Sequence, residues 1–364
     1  MSVAERLRSE IKASGPVSLD RFMDLALTAA EGGYYRATPA IGRAGDFVTA
    51  PEISQLFGEM IGAVLAQAWI DMGRPPAVNL VECGPGHGTL MEDLLRATRS
   101  VPGFHQTISL HLVETSPSLR EAQRTKLEAF RPTWHDRVDD LPNDLPVLGV
   151  ANEFFDALPC VQWLSQAGCW RERRIGLDEG DRFMWTLGDR PSADTPALPP
   201  ADPGEEVVHE ISRRRCQTVA MLGNLVRKGG IVLIIDYGAV ARGPTGDTLQ
   251  AVRDHRPVDP LAEPGMADLS TAVDFRALGL SIHSTGARSF GPIAQATFLK
   301  RVGIHLRAQA LRRRVSGEGA ATLDSGLRRL LDPQAMGELF KVMAITAQDE
   351  LPAGFTAEDR DAWQ

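Results

Sequence analysis

The sequence lacks the cysteine spacing and the apolar runs that mark several classes of protein. Its four cysteines have no paired C-x-x-C arrangement, and nothing in the chain suggests a disulfide framework, so we expect reduced thiols. No apolar run approaches the roughly 18 residues that a membrane-spanning helix needs. The sequence therefore argues against a secreted disulfide scaffold and against membrane insertion.

An excess of positive charge is missing as well. The net charge of -8 offers no general attraction to phosphate backbones, which disfavours nucleic acid as a partner. Residues 1–11 show neither the apolar segment of a secretion signal nor the acid-poor, Arg- and Ser-rich composition of a transit peptide. We therefore expect a cytoplasmic protein.

What is present is the material of a large α/β protein. With 364 residues, 43% of them hydrophobic, the chain can bury a substantial core as one enlarged domain or as two. Predicted strands alternate with predicted helices, which indicates a doubly wound, largely parallel sheet. The strands are predicted at 78–83, 108–113, 147–151 and 231–235, and the helices between them at 89–98 and 118–130.

The same pattern divides the chain into a helical N-terminal part, a core and an insertion. The core is interrupted because the stretch between its last two predicted strands is far longer than an ordinary loop. We expect a helical segment with a lid loop at 1–75, the core at 76–160 and 206–364, and an insertion of strands and an exposed loop at 161–205. Further expectations are helical periodicity at 206–227 and terminal strands at 281–284 and 297–299.

A glycine-rich turn follows the first predicted strand of the core and reads Glu82-Cys83-Gly84-Pro85-Gly86-His87-Gly88. Its glycines permit positive φ and close approach of a ligand to the backbone. The third glycine comes one residue earlier than in the dinucleotide fingerprint G-x-G-x-x-G. Glu82 would repel a pyrophosphate but suits the ammonium and sulfonium of S-adenosylmethionine. We predict that this turn, with Glu82, Gly84, Pro85, Gly86 and Gly88, binds that cofactor.

Glu114 ends the second predicted strand of the core. In open α/β sheets ligands lie beyond the carboxyl ends of the strands, so its carboxylate is positioned to accept both ribose hydroxyls of an adenosyl group. In the alternative interpretation the glycines only shape a tight turn and Glu114 caps the following helix.

Several ordered blocks resemble the MidA-like methyltransferases, a family that includes a mitochondrial complex I assembly factor. The resemblance covers nearly the whole chain. One departure is His87, where relatives usually carry arginine. The blocks are GYY at 33–35, GDFVTAPEISQLFGE at 45–59, VECGPGHGTLMEDLLR at 81–96, HLVETSPSLR at 111–120, NEFFDALP at 152–159, DYG at 236–238, TLQAVRDH at 248–255 and MGELFKVM at 336–343.

The resemblance implies a fold, a cofactor and an activity. The implied fold is the seven-stranded, Rossmann-like sheet of class I methyltransferases with helices on both faces. The implied cofactor is S-adenosyl-L-methionine, with S-adenosyl-L-homocysteine as the product. The implied activity is protein arginine N-methylation of a catalytic-core subunit of respiratory complex I (NADH dehydrogenase), or of its bacterial counterpart, during assembly.

Acidic side chains follow the third predicted strand of the core. Methyl transfer requires alignment of the acceptor, exclusion of water and removal of a proton, with no metal. Glu153 and Asp156 could hold a guanidinium between them, and Phe154 and Phe155 could form a dry wall. Alternatively, Asp156 caps a short helix and the two phenylalanines belong to the core.

Other residues are secondary candidates. Thr49 and Glu52, in a loop-to-helix junction at 46–55, could contact the cofactor or only begin a helix. Asp236 could add a carboxylate to the catalytic site or only form a turn, and His255 could accept a proton or only be solvated. The run Arg213-Arg214-Arg215 is interpreted as a solvated or salt-bridged helix face.

These residues leave other functions open. The chain could be an assembly chaperone that keeps a cofactor pocket, a methyltransferase of small molecules or, against the spacing of the glycines, a nicotinamide-dependent oxidoreductase. The oligomeric state is open as well.

Overall fold

The computed structural model describes residues 1–37, 49–193, 195–202, 204–243, 245–347 and 351–364. The helices are α1 (Val3–Ser14), α2 (Leu19–Thr28), α3 (Tyr34–Ala37), α4 (Ala50–Ile53), α5 (Gln55–Asp71), α6 (Thr89–Thr98), α7 (Phe104–Thr107), α8 (Pro117–Leu127), α9 (Arg213–Leu225), α10 (Phe275–Ser284), α11 (Gln295–Val302), α12 (Ile304–Arg312) and α13 (Gly317–Leu331). Across these described ranges, no helix is both long enough and apolar enough to span a membrane.

The strands form a large sheet, an outer sheet and a small three-stranded sheet. The strands are β1 (Val17–Ser18), β2 (Val78–Cys83), β3 (Ile108–Val113), β4 (Thr133–His135), β5 (Val147–Asn152), β6 (Val161–Gln166), β7 (Cys169–Leu177), β8 (Phe183–Leu187), β9 (Val207–Ile211), β10 (Gly230–Ala239), β11 (Gln250–Arg253), β12 (Arg256–Pro257), β13 (Asp268–Ser270), β14 (Val273–Asp274), β15 (Arg288–Ala294) and β16 (Phe340–Thr346).

The large sheet has the strand order β15-β16-β10-β5-β2-β3-β4, with the short β14 paired to the end of β10. From β10 to β4 all neighbours are parallel, whereas β16 runs antiparallel to both β10 and β15. Parallel neighbours need crossover connections, which the intervening helices supply. The predicted α/β fold with a seven-stranded class I sheet is confirmed.

Each face of the large sheet is covered by its own hydrophobic core. Successive side chains of a strand point to opposite faces, and in β10 Ile231, Leu233 and Ile235 pack on one side while Val232 and Ile234 pack on the other. Helices α5, α6 and α11 cover the first side, and α9 and α10 cover the second. Burial on both faces explains why the central strands are almost continuously apolar.

The outer sheet has the order β1-β7-β6-β9, with β8 on the far edge of β7. A third core joins this sheet to α1 and α2, where Leu7, Phe22 and Ile175 are fully buried. The expectation of a helix from residue 206 is wrong at its start, because Val207–Ile211 is a strand of this sheet and α9 begins only at Arg213. Alternating burial along β9 reflects a period of two, which favours a strand.

The expected terminal strands at 281–284 and 297–299 are also wrong. The first belongs to α10, whose start is capped by the Asp274 carboxylate accepting the N–H groups of Arg276 and Ala277. The second belongs to α11. Short apolar runs are ambiguous in period, and the true strands of this region, β15 and β16, are set by their antiparallel pairing.

Glu59 links three helices beneath the large sheet. This buried α5 carboxylate accepts hydrogen bonds from Arg96 Nη1 of α6 at 2.7 Å and from Arg307 Nε of α12 at 2.7 Å. Both arginine side chains keep about a third or more of their surface exposed. A buried carboxylate shared by two guanidinium groups stabilises the arrangement only while both contacts are kept.

Replacing Glu59 with glutamine should lower the free energy of unfolding by about 2 kcal/mol, because a neutral amide holds the two guanidinium groups less well. Urea titration of the purified protein measures this difference. The same change at Glu179, an exposed residue of the β7–β8 turn, should leave the midpoint in place. Equal midpoints for the two variants would contradict a structural role for Glu59.

Candidate active site

The carboxyl ends of four parallel strands meet at one edge of the large sheet. Cys83 at the end of β2 pairs with Val113 of β3 and with Ala151 of β5, and Asn152 pairs with Ile235 of β10. This register brings the glycine turn, Glu114, Glu153 and Asp236 to the same edge. In a doubly wound sheet this is the edge where ligands bind.

A cavity of about 480 Å³ opens at this edge and is called the central cavity below. It is large enough for a nucleoside cofactor. Its lining includes Gly84, Gly86, Glu114, Val138, Glu153 and Phe154. Predicted cofactor residues and a predicted acceptor residue therefore share one cavity.

All three glycines of the turn have positive φ, at 68° for Gly84, 52° for Gly86 and 76° for Gly88. A Cβ on Gly84 would lie 3.0 Å from the Phe154 ring, so the turn also needs glycine there for packing. Gly88 donates its N–H to the Pro85 carbonyl at 2.7 Å and begins α6. Without side chains at these positions, a ligand in the cavity can approach the backbone of the turn closely.

Gln123 of α8 connects the glycine turn to Glu114. It is fully buried, and its Nε2 donates to the Gly86 carbonyl at 2.7 Å and to Glu114 Oε2 at 3.4 Å, while Trp134 donates to its Oε1. Glu114 Oε1 accepts the Ser116 N–H at 2.7 Å. Burial raises the pKa of Glu114. Since a carboxylate can accept about four hydrogen bonds, Glu114 serves the start of α8 and still has acceptor capacity for ribose hydroxyls.

Glu82 is buried at the end of β2 and does not line the central cavity. Its Oε2 has no hydrogen-bond partner in the described part of the chain. Burial raises the pKa of the Glu82 carboxyl to about 8. A buried carboxylate is stable only beside a cation or when it is protonated, so this position suits a cationic ligand in the neighbouring turn.

Glu153 directly follows β5 and lines the central cavity. The part of the cavity around Glu153, where the methyl acceptor is expected, is called the acceptor end below. Its φ of 48° is unusual for a residue with a side chain. Its Oε1 accepts the Ala50 N–H at 3.2 Å and the Asn152 side-chain amide at 3.1 Å. Burial and the nearby Asp156 carboxyl raise the pKa of Glu153 to about 7. Burial likewise raises the pKa of Asp156 to about 6.

The structure gives Asp236 a supporting role. It is fully buried, and its Oδ2 accepts the N–H groups of Phe155 at 3.0 Å and of Asp156 at 3.2 Å. Its Oδ1 accepts the Tyr237 N–H at 2.9 Å. Both oxygens are thus used to hold the turn that carries Glu153 and Asp156, which makes Asp236 a positioning residue. Of the two phenylalanines in this turn, Phe154 lines the cavity and Phe155 belongs to the core.

Arg215 was expected on a solvated or salt-bridged helix face, and that expectation is wrong. Only 5% of it is exposed, and its guanidinium donates to the carbonyls of Phe155, Asp156 and Ala272 at 2.7 to 2.8 Å. These bonds fix the turn from below, but none of them goes to a carboxylate. Within the described residues, Glu153, Asp156 and Asp236 therefore have no directly bonded cation.

The remaining candidates, Thr49, Glu52 and His255, do not line the central cavity. Glu52 Oε1 accepts a hydrogen bond from the Thr89 hydroxyl at 2.6 Å, which stabilises the start of α6. Thr49 precedes α4 and makes no side-chain capping bond, and residues 46–48 of the predicted segment are outside the described residues. His255 sits on the exposed turn between β11 and β12 with a φ of 59° and does not line the central cavity.

Tyr35 is a cavity residue for which the residue pattern assigned no role. It lines the central cavity, and its hydroxyl donates to Asp268 Oδ1 at 2.7 Å. Burial and the nearby carboxylates raise its pKa well above the usual range of a phenol, so Tyr35 stays neutral. In the sequence, Tyr35 stands out only as part of the GYY block, because neither its charge nor its spacing from other residues points to a site.

The raised pKa of Glu82 predicts a pH dependence of stability. Its folded pKa of about 8 exceeds the value of 4.5 for a free glutamate, so its contribution to stability is full below pH 4.5 and is lost as the pH rises through 8. As the pH rises from about 5 to about 8, the cofactor-free wild type should lose roughly 3 kcal/mol of free energy of unfolding that Glu82→Gln keeps. Urea titrations at several pH values, with Glu179→Gln as the matched control, measure the difference. A difference that does not change with pH would place the Glu82 pKa in the ordinary range.

Comparison with known proteins decides the family. Residues 60–293 match the family described as "Putative S-adenosyl-L-methionine-dependent methyltransferase". The chain belongs to this family. The methyltransferase is 34% identical to the Protein arginine methyltransferase NDUFAF7 homolog, mitochondrial, of Drosophila melanogaster, across 94% of this chain and 84% of the relative. It is 32% identical to Protein arginine methyltransferase NDUFAF7, mitochondrial, of Homo sapiens, across 96% of this chain and 84% of the relative.

A solved structure agrees with this assignment. A COG1565 superfamily member from Burkholderia thailandensis, bound to S-adenosyl-homocysteine, superposes with a TM-score of 0.82 at 28% identity and covers 98% of this chain and 94% of its own. The methyltransferase is thus an enzyme that uses S-adenosylmethionine, as predicted from the glycine turn. The residues present fit this cofactor. The central cavity is lined by Gly84 and Gly86 of the turn and by Glu114, and the neighbouring Glu82 has one buried oxygen without a partner among the described residues.

The expected cytoplasmic location is contradicted by these relatives. The proteins of Drosophila melanogaster, Danio rerio and Homo sapiens are all named as mitochondrial. The expectation rested on the composition of residues 1–11 alone. Targeting information is carried by short segments that contribute nothing to the fold, so the absence of such a pattern was a weak basis for a location.

Proposed function

We propose that the methyltransferase transfers a methyl group to a guanidinium nitrogen of a protein arginine, on a catalytic-core subunit of respiratory complex I during its assembly. The relatives from flies and humans are named protein arginine methyltransferases. The single observation that carries the proposal is the group of three neighbouring carboxyls, Glu153, Asp156 and Asp236, of which Glu153 lines the central cavity. The complex I client comes from the resemblance to the MidA-like family.

The acceptor end brings three carboxyl groups together among the described residues. Burial raises the pKa of Glu153, Asp156 and Asp236. The charge of Asp156 raises the pKa of Glu153 and of Asp236 further. Among the described residues, Arg215 lies next to this group, but its hydrogen bonds go to backbone carbonyls and the Thr271 hydroxyl. An arginine side chain from a client would supply the missing positive charge with donors in a fixed planar arrangement. A neutral acceptor would leave this group uncompensated.

Glu153 and Asp156 act as the guanidinium ligands in this proposal. Two carboxylates on one side of the guanidinium draw its positive charge toward the nitrogens that they contact, which leaves the remaining nitrogen richer in electrons. Phe154 covers the site and excludes water. Asp236 and Arg215 hold the turn, so both carboxylates are in place before the acceptor arrives.

The bound S-adenosylmethionine supplies an electrophilic methyl group on its sulfonium. The guanidinium nitrogen forms the new bond to carbon as the carbon–sulfur bond breaks, and one proton must leave the acceptor. Glu153 is suited to accept that proton because its pKa of about 7 lies near neutral pH. Tyr35 closes the cavity from the N-terminal helices as a neutral phenol.

Mass spectrometry tests the proposal. Respiratory complex subunits from cells with and without the gene are compared for methylarginine, and purified enzyme is then incubated with S-adenosylmethionine and the subunit that differs. We expect one methylarginine site that disappears with the gene and returns with the enzyme. If methylation appears only on lysine, on another side chain or on a small molecule, the arginine proposal fails.

A further inference from the structure

A second cavity of about 590 Å³ lies beside the central cavity and is called the outer groove below. It runs between α2, the start of β6, the middle of β7 and the first turn of α9. Four residues line both cavities, namely Asp24, Pro159, Arg214 and Gln217. The outer groove therefore adjoins the central cavity, which contains Glu153, along these four residues.

Trp163 of β6 gives the outer groove an unused hydrogen-bond donor. The side chain lines the groove and is only 7% exposed. Its indole N–H has no acceptor among the described residues. Buried polar groups normally have partners, and an indole N–H can only donate. The missing partner is an acceptor such as a peptide carbonyl.

Arg214 gives the groove an unused positive charge. It is exposed at the second position of α9, and within the described ranges it makes no hydrogen bond or ion pair. Other arginines of the groove are paired, Arg21 with Glu10 and Arg174 with Glu172. The first turn of α9 contains no acidic residue, so the charge of Arg214 adds to the positive end of the helix dipole.

We infer that the outer groove binds the client segment next to the target arginine in an extended conformation. A carboxylate side chain of that segment pairs with Arg214, and a backbone carbonyl accepts the Trp163 indole N–H. This inference rests on the proposed function for the identity of the acceptor. The segment then carries opposite charges at two points, since its arginine enters the carboxylate group while an acidic neighbour reaches Arg214.

A protein segment suits this groove better than a nucleic acid does. The groove contains the carboxylates of Asp20, Asp24 and Glu172, which would repel a continuous phosphate backbone. The net charge of -8 adds to that repulsion. A peptide presents its negative charge at single side chains, so it can place one carboxylate on Arg214 and keep its neutral backbone near the acidic wall.

Peptide binding tests the inference in the full-length protein saturated with S-adenosyl-homocysteine. The probes are short fluorescent peptides with one central arginine, flanked by aspartates in one peptide and by lysines in the other, and each has a counterpart with lysine as the central residue. Fluorescence anisotropy gives the affinities. We expect the wild type to prefer the aspartate-flanked peptide by about tenfold or more, and Arg214→Glu to reverse the preference.

Trp163→Phe serves as the second variant, since it removes the N–H and keeps an aromatic ring. It should weaken the binding of both arginine peptides by about threefold to tenfold, because a backbone carbonyl is present in each. Calorimetry with S-adenosyl-homocysteine checks that each variant is folded and binds the cofactor product. If Arg214→Glu weakens this ligand and leaves the peptide preference unchanged, Arg214 is a cofactor residue and the inference is overturned.

The two proposals fail in different ways. If the flanking charges matter but replacing the central arginine by lysine does not, the outer groove stands and the arginine acceptor falls. If the central arginine matters but the flanking charges and Trp163→Phe do not, the acceptor stands and the groove inference falls. Displacement of the peptides by a single-stranded oligonucleotide would also overturn the inference in favour of a nucleic acid.

Discussion

Replacing Gly86 with valine should abolish the binding of S-adenosylmethionine and S-adenosyl-homocysteine, with a loss of affinity of about a hundredfold or more. Gly86 has a φ of 52° and lines the central cavity. A β-branched residue at this φ is strained, and any side chain here adds bulk to the wall of the cavity that Gly86 lines. The turn cannot rotate away cheaply, since the Gly86 carbonyl is held by the buried Gln123 at 2.7 Å.

Isothermal titration with S-adenosyl-homocysteine measures this effect on the purified variant. The matched control is Gly243→Val, because a Cβ at Gly243 meets nothing within 4 Å and its φ is not in the positive range. Wild-type affinity in the control together with loss of binding in Gly86→Val would assign the effect to the turn. Retained affinity in Gly86→Val would contradict the geometry proposed for the cofactor.

The part of the site closest in sequence to β2 could be predicted well. The strand, the glycine turn and α6 lie within one short stretch, and the acidic Glu82 and the early third glycine already favoured a cationic nucleoside over a dinucleotide. These features are local, because glycine spacing and the alternation of strand and helix depend on near neighbours. The parallel sheet followed from the same local units.

The supporting residues of the site could not be predicted because their roles depend on distant contacts. Gln123 looks like any polar residue of an amphipathic helix, yet it joins Gly86 to Glu114. Arg215 belongs to a basic run, and only the packing of α9 against the 153–156 turn turns its guanidinium inward. Asp236 lies inside β10, which runs on to Ala239, and one of its oxygens is used by the backbone amides of Phe155 and Asp156, which lie far away in sequence.

The electrostatics of the two ends of the central cavity also differ in a way that the sequence did not show. At the cofactor end, Glu114 is buried but keeps hydrogen bonds to Ser116 and Gln123. At the acceptor end, Glu153 and Asp156 have pKa values raised to about 7 and about 6. The acceptor end is therefore a part of the cavity where an arriving cation is stabilised, as it is beside Glu82 at the cofactor end.

The backbone at Glu153 shows strain at the acceptor end. A φ of 48° costs a non-glycine residue on the order of 1 kcal/mol. The surrounding structure maintains it through Asp236, whose bonds to the Phe155 and Asp156 amides fix the turn, and through the Ala50 N–H, which holds the carboxylate itself. Strain that is maintained by several contacts is common at catalytic positions, so the side chain at 153 should matter more for activity than for folding.

Replacing Glu153 with glutamine should therefore lower the rate of methyl transfer to a peptide arginine by about a thousandfold, because the neutral amide neither localises the guanidinium charge nor accepts the proton. Affinity for S-adenosyl-homocysteine should stay within about threefold of wild type, since the predicted cofactor contacts lie in the glycine turn and at Glu114. Single-turnover assays with radiolabelled S-adenosylmethionine measure the rate, and calorimetry measures the affinity. Glu179→Gln is the matched control, with the same chemical change at an exposed position.

Glu153→Gly separates catalysis from folding at the same position. Glycine adopts a φ of 48° without strain and removes a carboxyl whose pKa is raised to about 7. This variant should therefore be as stable as the wild type, or more stable by about 1 kcal/mol at pH 8, while its methyl transfer is lost. Both variants must lose activity if the carboxylate is the guanidinium ligand. If Glu153→Gln keeps the wild-type rate, the acceptor assignment is wrong. If Glu153→Gly is inactive and also much less stable, the contacts of Glu153 with Ala50 and Asn152 serve the fold more than the chemistry.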